Sequence, residues 1–249
     1  MDKKKVKTEL LIHDLKNPLA VIEAGINLLL RNSDKYGPLT DKQSKVLIRT
    51  MRNAKIAMAL VNDILEIGRS KEGIILREPC RCIDIIKFPL VEMFDLINAD
   101  IAERIGVCEN VNELSAELAR ENILLIMDDV LWSNELHLDV RKMRQIIRNL
   151  LSNAMKFRKE TVSILIRIEN SILYVAVKDD GQGINKDYHK KIFETYFQLG
   201  NERDQCVRGH GLGLAGSLIL VEDMGGKMEI ESDEGKGATF TVSIPLEES

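Results

Sequence analysis

An all-α helical hairpin that pairs into a dimeric four-helix bundle, followed by an α+β sandwich domain, is the architecture the sequence predicts, and three observations predict it. Residues 7–68 keep a helical period. Ile12, Leu15, Leu19, Ile22, Ile26 and Leu29 alternate three- and four-residue spacings, and Leu47, Met51, Ala54, Met58, Val61 and Leu65 do the same. Both are seams of the kind that pack helix against helix. The turn-rich "NSDKYGPLT" between them folds the two into a hairpin. Leu60, Ile64 and Ile67 lie off the seam, a second stripe that the hairpin cannot bury alone and that a second copy of the chain, or the following domain, can cover. After "GRSKEGIILREP" the period changes, which sets the expected domains at 1–72 and 73–249.

The second part is justified element by element. Residues 83–104 read as a helix, "ILLIMDDV" (123–130) as a strand, and 139–157 as an amphipathic helix. "TVSILIRIENSILYVAVKDD" reads as two alternating strands around Asn170, and "GKMEIES" and "ATFTVSIP" as a further pair across the turn "DEGKG". Helices on one face of a mixed sheet follow.

Composition narrows the function. With 45% hydrophobic and 30% charged residues the chain buries a core and is not disordered. A net charge of -4 argues against a nucleic-acid partner held by phosphate neutralisation. No apolar run approaches the roughly 18–20 residues of a membrane span, and "MDKKKVK" leads into polar residues instead of a signal-peptide core, so a cytoplasmic location is expected. Cys80 and Cys82 form C-x-C with Cys108 and Cys206 far off and no histidine at a zinc-like spacing, so free thiols are expected.

Two sets of residues carry chemistry. In "HDLKNPL", His13 and Asn17 sit one turn apart, off the buried face of the first seam. Asp14 can hold one ring nitrogen of His13 and leave the other as a nucleophile. Pro18 removes the N–H that would bond the Asp14 carbonyl, which predicts a bend; a kink with no further role fits these residues equally. The second set lies in the sandwich. Asp179 ends an apolar strand and can accept from an exocyclic amino group such as that of adenine. Asn149 and Asn153 are one turn apart with Lys156 a turn further, a hard oxygen ligand set and a point charge suited to a divalent cation and phosphate, or simply a solvated helix face. "DDGQGI" and "GHGLGLAG" supply glycines beside a strand end and at a helix start, where backbone N–H groups approach phosphate closely. Gly211, Gly213 and Gly216 match a dinucleotide fingerprint, but no strand precedes them. The loop from Gln198 to His210 reads as a lid.

Taken together these segments resemble the sensor histidine kinases of two-component signalling. "HDLKNPL" is similar to the family's phosphoacceptor box, "RQIIRNLLSNAMKF" to its asparagine box, "VKDDGQGI" to its first glycine box, "KIFETYF" to its phenylalanine box and "GHGLGLAG" to its second glycine box, in the family's order. The resemblance implies a Bergerat-type ATP-binding domain behind the hairpin, with ATP and Mg2+ as cofactors. It implies that His13 takes the γ-phosphoryl group, that Asp14 is base or orienter, and that Asn17 positions a water for phosphatase action. It also implies that Asp179 reads adenine, Asn153 binds Mg2+, Asn149 and Lys156 lie near metal and phosphates, and Gly181, Gly183, Gly209, Gly211 and Gly213 shape pocket and lid. The partners it implies are a response-regulator receiver domain, a second copy in a homodimer, and a separate sensor protein or a sensor region upstream.

Departures from the family pattern are Asp180 for a common asparagine, His210 between lid glycines, and a longer stretch at 100–122 in which "NVNE" reads as a capping box starting an extra helix. A non-catalytic dimeric phosphotransfer or scaffold protein with a decayed ATP site is the alternative. A gyrase- or chaperone-like ATPase is a second one, though it leaves the histidine hairpin without a purpose.

Overall fold

The computed structural model describes residues 3–70, 75–95, 97–194 and 213–246. The chain divides into two units, the first ending at Arg69 and the second beginning at Ser70.

The first unit is helical: α1 (Lys3–Arg31), the single turn α2 (Ser33–Tyr36) and α3 (Asp41–Ser70). Asn32 ends α1, its backbone and side-chain N–H groups both donating to the Leu28 carbonyl. Thr40 starts α3 through a reciprocal pair with Gln43, whose N–H donates to Thr40 Oγ1 while its Oε1 accepts from the Thr40 N–H at 2.9 Å. Helix α1 runs unbroken through Pro18. Ile26, Met51 and Ala54 are buried, whereas Leu15 and Ile22 on the same predicted seam are 48% and 44% exposed in the single chain. The side chains of Leu60, Ile64 and Ile67 lie outside the described ones.

The second unit is a two-layer sandwich. Its sheet has the order β2-β4-β5-β7-β6, from β2 (Ile123–Met127), β4 (Val162–Glu169), β5 (Ile172–Asp179), β6 (Lys227–Ser232) and β7 (Ala238–Pro245). Only β2 and β4 are parallel, so the sheet is mixed. Alternation sends Ile123, Leu125, Ile164, Val175, Val177, Phe240 and Val242 to a buried face, while Leu124 and Ile126 on the other face stay exposed. Helices α4 (Asp84–Asp95), α7 (Val140–Phe157) and α8 (Gly213–Asp223) form the second layer. Asn170 and Ser171, both at positive φ, make the two-residue turn between β4 and β5.

Three elements differ from expectation. The helix predicted over 83–104 is two, because Asn98 caps a fresh start by accepting from the Asp100 N–H, giving α5 (Ala99–Val107). The strand predicted over 123–130 stops at Met127 and passes into a 3-10 turn at Asp129–Leu131. The small antiparallel pair of β1 (Glu78–Arg81) and β3 (Glu135–Leu138) has four-residue strands, too short to show a period. The box at "NVNE" does form: Asn110 Oδ1 accepts from the Glu113 N–H at 2.9 Å and Glu113 Oε2 from the Glu109 N–H at 2.8 Å, opening α6 (Val111–Arg120). Cys80, Cys82 and Cys108 are free, and burial pushes the Cys80 thiol up to about 11 and that of Cys82 up to about 12, so neither is a thiolate at neutral pH. Among the described residues no helix is long and apolar enough to cross a membrane.

Helix α7 organises this unit. Asp139 caps it, accepting from the Lys142 N–H with one oxygen and from the Leu76 N–H with the other. Lys142 is 3% exposed and meets Asp223 Oδ2 at 2.8 Å, fastening the first turn of α7 to the last turn of α8. Removing one member of such a pair strands the other charge in a dry interior. Asp223→Ala is therefore expected to lower unfolding free energy by about 3 kcal/mol, read by urea denaturation; a change under about 0.5 kcal/mol, the size for an exposed pair, would show that the clamp contributes nothing.

Candidate active site

The amphipathic pattern of α7 buries Met143, Ile146, Ile147, Leu150, Leu151 and Ala154, and the helix packs on β5 and α8. That fixes where its polar residues go. Asn149 reaches α8, its Nδ2 donating to the Gly213 carbonyl and to Ser217 Oγ, each at 3.1 Å. Asn153 follows one turn on and is half-buried, and Lys156 a further turn on, 4.6 Å from the Phe157 ring centroid. Burial lowers the Lys156 pKa from its ordinary value.

Strand β5 ends in Asp179, a buried carboxylate on the helix-facing side of the sheet in register with Val162 and Ala238. Burial raises its pKa, and the Gly181 and Ala238 N–H groups work against that rise. Gly181 donates to Asp179 Oδ1 at 2.9 Å. A Cβ on Gly181 would overlap the Phe157 carbonyl and press on that same oxygen, so the turn closes against the end of α7 only with glycine there. Gly183 has φ +69 and sits against the Asp233 backbone. The next residue is pinned by its N–H to Ser232 Oγ, which in turn donates to the Gly237 carbonyl.

Of the sequence-predicted site residues, the structure brings Asp179 and Gly181 into direct contact, sets Gly181 against the C-terminal end of α7, and joins Asn149 to Gly213. Gly209 and Gly211 lie outside the described residues, as does the lid, His210 included. In the other unit, His13 lies on α1 with its side chain outside the described ones, and Asp14 and Asn17 are exposed on the same helix. Phe193 of the phenylalanine box packs edge-on to Phe240 with ring centroids 6.5 Å apart.

Three residues escaped the sequence reading. Ser217, fully buried, ties Asn149 to the first turn of α8; its one signal is a hydroxyl four residues after Gly213 within the apolar run that ends at Val221. Asp139 and Lys142 carried no signal beyond an aspartate opening a helix. The Asp180 carboxylate accepts from the backbone N–H groups of Lys159, Glu160 and Thr161 and from the Thr161 hydroxyl, closing the loop that follows α7.

Family descriptions match in two places. The His Kinase A (phospho-acceptor) domain matches residues 11–73, and the histidine kinase-, DNA gyrase B-, and HSP90-like ATPase matches residues 138–248. The circadian input-output histidine kinase CikA of Synechococcus elongatus is 30% identical over 238 residues, 94% of this chain and 29% of that protein. The sensor histidine kinase WalK of Bacillus subtilis is 29% identical over 242 residues, 95% of this chain and 36% of that one. The chain thus spans about a third of the length of these relatives. Full-length ShkA, crystallised with AMPPNP, shares the fold with a TM-score of 0.64 at 22% identity over 98% of this chain and 46% of that one.

Desolvation acts to raise the Asp180 pKa, but the hydrogen bonds from Glu160, Thr161 and Lys159 outweigh it and hold the group at about 2. The unfolded carboxyl titrates near 3.9, so its contribution to stability is present above that pH and is lost as pH falls from about 4 towards 2. Asp180→Ala is expected to melt below wild type at pH 7, with the gap closing over that window in a pH series of thermal melts. A gap of constant size down to pH 2 would contradict this role.

Proposed function

Because this chain belongs to the two-component histidine kinases, we propose that it transfers the γ-phosphoryl group of ATP to a ring nitrogen of His13 and passes it on to an aspartate of a response-regulator receiver domain. The observation that carries the reading is the buried Asp179 carboxylate held at the end of β5 by Gly181. An acceptor so placed is costly to bury unless a donor completes it, and the exocyclic amino group of adenine is such a donor. Guanine presents an oxygen there and is refused.

The second set of donors suits the rest of the nucleotide. Amide oxygens of Asn153 and Asn149 are hard ligands of the kind Mg2+ takes, and the half-buried Lys156, its pKa depressed by that burial, is a charge for phosphate oxygens. Bound there, Mg2+ would neutralise charge on the phosphates. Gly181, Gly183 and Gly213 keep the backbone close to the ligand, with Gly209 and Gly211 assigned to the lid by the motif alone. On α1, Asp14 orients His13 and takes its proton as the ring attacks. Asn17, one turn away, holds the water that hydrolyses the receiver's phosphoaspartate. The exposed Leu15 and Ile22 of a seam otherwise buried at Ile26 support pairing of two hairpins into a homodimeric bundle. Sensing is assigned to a separate protein or to a further region of a longer chain, and the chemistry to the cytoplasm, where ATP is.

Incubation of the purified chain with γ-labelled ATP and Mg2+ is expected to label it, the label surviving alkali and lost in acid, as a phosphorus–nitrogen bond to imidazole is once the ring is protonated. His13→Gln should abolish labelling while nucleotide binding persists. Full labelling of that variant would move the acceptor elsewhere, and release of free phosphate with no labelled protein at all would favour a plain ATPase.

A further inference from the structure

The direction of every hydrogen bond among Asn149, Gly213 and Ser217 is set by chemistry. A carbonyl only accepts, so the edge of the Asn149 amide that meets the Gly213 oxygen at 3.1 Å is its NH2. Ser217 commits its one hydroxyl hydrogen to the same carbonyl at 2.8 Å, one turn back in its own helix. The Ser217 oxygen, 3.1 Å from Asn149 Nδ2, is therefore an acceptor. Turning the amide over would set its oxygen against a carbonyl and against a hydroxyl whose proton is already used, so two contacts would be lost together. Ser217 is 0% exposed, and no water reaches it to act as a substitute.

A hydroxyl in that position is not needed for packing. Ala215, Leu220 and Val221 on the same helix are buried and apolar, and an alanine at 217 would fill nearly the same space without burying a polar group. What alanine cannot do is accept from Asn149.

The geometry points to Ser217 as a positioning residue for nucleotide binding: it locks the Asn149 amide with both donors turned to α8 and leaves Oδ1 as the acceptor and ligand atom. This rests on Asn149 being a nucleotide-contacting residue, as proposed above. The lock also joins that residue to the first turn of α8, which begins within the second glycine box.

The test is a double-mutant cycle on the whole chain, with affinity for a non-hydrolysable ATP analogue in the presence of Mg2+ measured by calorimetry and folding checked by thermal melting. Ser217→Ala is expected to weaken binding about three- to tenfold, the range for one neutral hydrogen bond. Asn149→Ala weakens it further, and the double variant binds no more weakly than Asn149→Ala alone, because Ser217 acts only through that amide. Wild-type affinity in Ser217→Ala, or losses that multiply in the double variant, would overturn the proposal while leaving Asn149 in its role. Wild-type affinity in Asn149→Ala would overturn both. If the alanine variant does not fold, Ser217→Cys, near-isosteric and a poor acceptor, takes its place in the cycle: weakened binding that vanishes in the Asn149→Ala background is expected, and wild-type affinity would overturn the proposal.

Discussion

Helix α7 can bury Met143, Ile146, Ile147, Leu150 and Leu151 only while Lys142 and Asn149, carried into the same interface, find partners there. Both find them on α8, Lys142 at Asp223 and Asn149 at Gly213 and Ser217. Lys142 in the first turn of α7 meets the end of α8, and Asn149, two turns further along α7, meets the start of α8, so the two helices run antiparallel. Three more ties close around the far end of α7: the Asp180 carboxylate holds the loop that follows it, Arg158 donates to the Glu121 carbonyl, and Gly181 lies against the Phe157 carbonyl. The helix is thus fixed at both ends before any ligand arrives, and the polar stripe of Asn149, Asn153 and Lys156 is fixed with it.

In the function proposed above, fixing that stripe over β5 divides the labour. The strand would bring a buried carboxylate that already accepts from the Gly181 N–H, its specificity coming from the penalty for setting a second acceptor against it. The helix would bring amides and a cation, which act on charge and discriminate little between bases. In that proposal the stability of the fold and the chemistry of the pocket share Asn149, which gives a reason for a buried serine among the apolar residues of α8.

Periodicity revealed the two long helices of the first unit, the amphipathic α7 and the β4–β5 and β6–β7 pairs, because each repeats long enough to show its period. Asp179 and Gly181 stood out because few residue types offer such a carboxylate or such a turn, and the structure joins the two. Short elements were not: β1 and β3 are held by register with one another and not by any pattern of their own. Residues 83–104 hid a break at Asn98, since an apolar helical period continues on both sides of it. The use of Asp180 was not legible because it depends on a loop some twenty residues earlier in sequence. Lys142 and Ser217 were illegible for the same reason, their partners being distant or their role depending on the polarity of a contact.

The adenine reading of Asp179 is the point on which the functional account turns. Calorimetric titration of Asp179→Asn with ATP and with GTP, on protein shown folded by its melt, tests it directly. The account predicts a loss of ATP affinity of about ten- to a hundredfold, the range for a hydrogen bond to a charged acceptor, together with loss of the preference for ATP over GTP. Wild-type affinity for ATP with the preference intact would contradict it and place the base in some other part of the molecule.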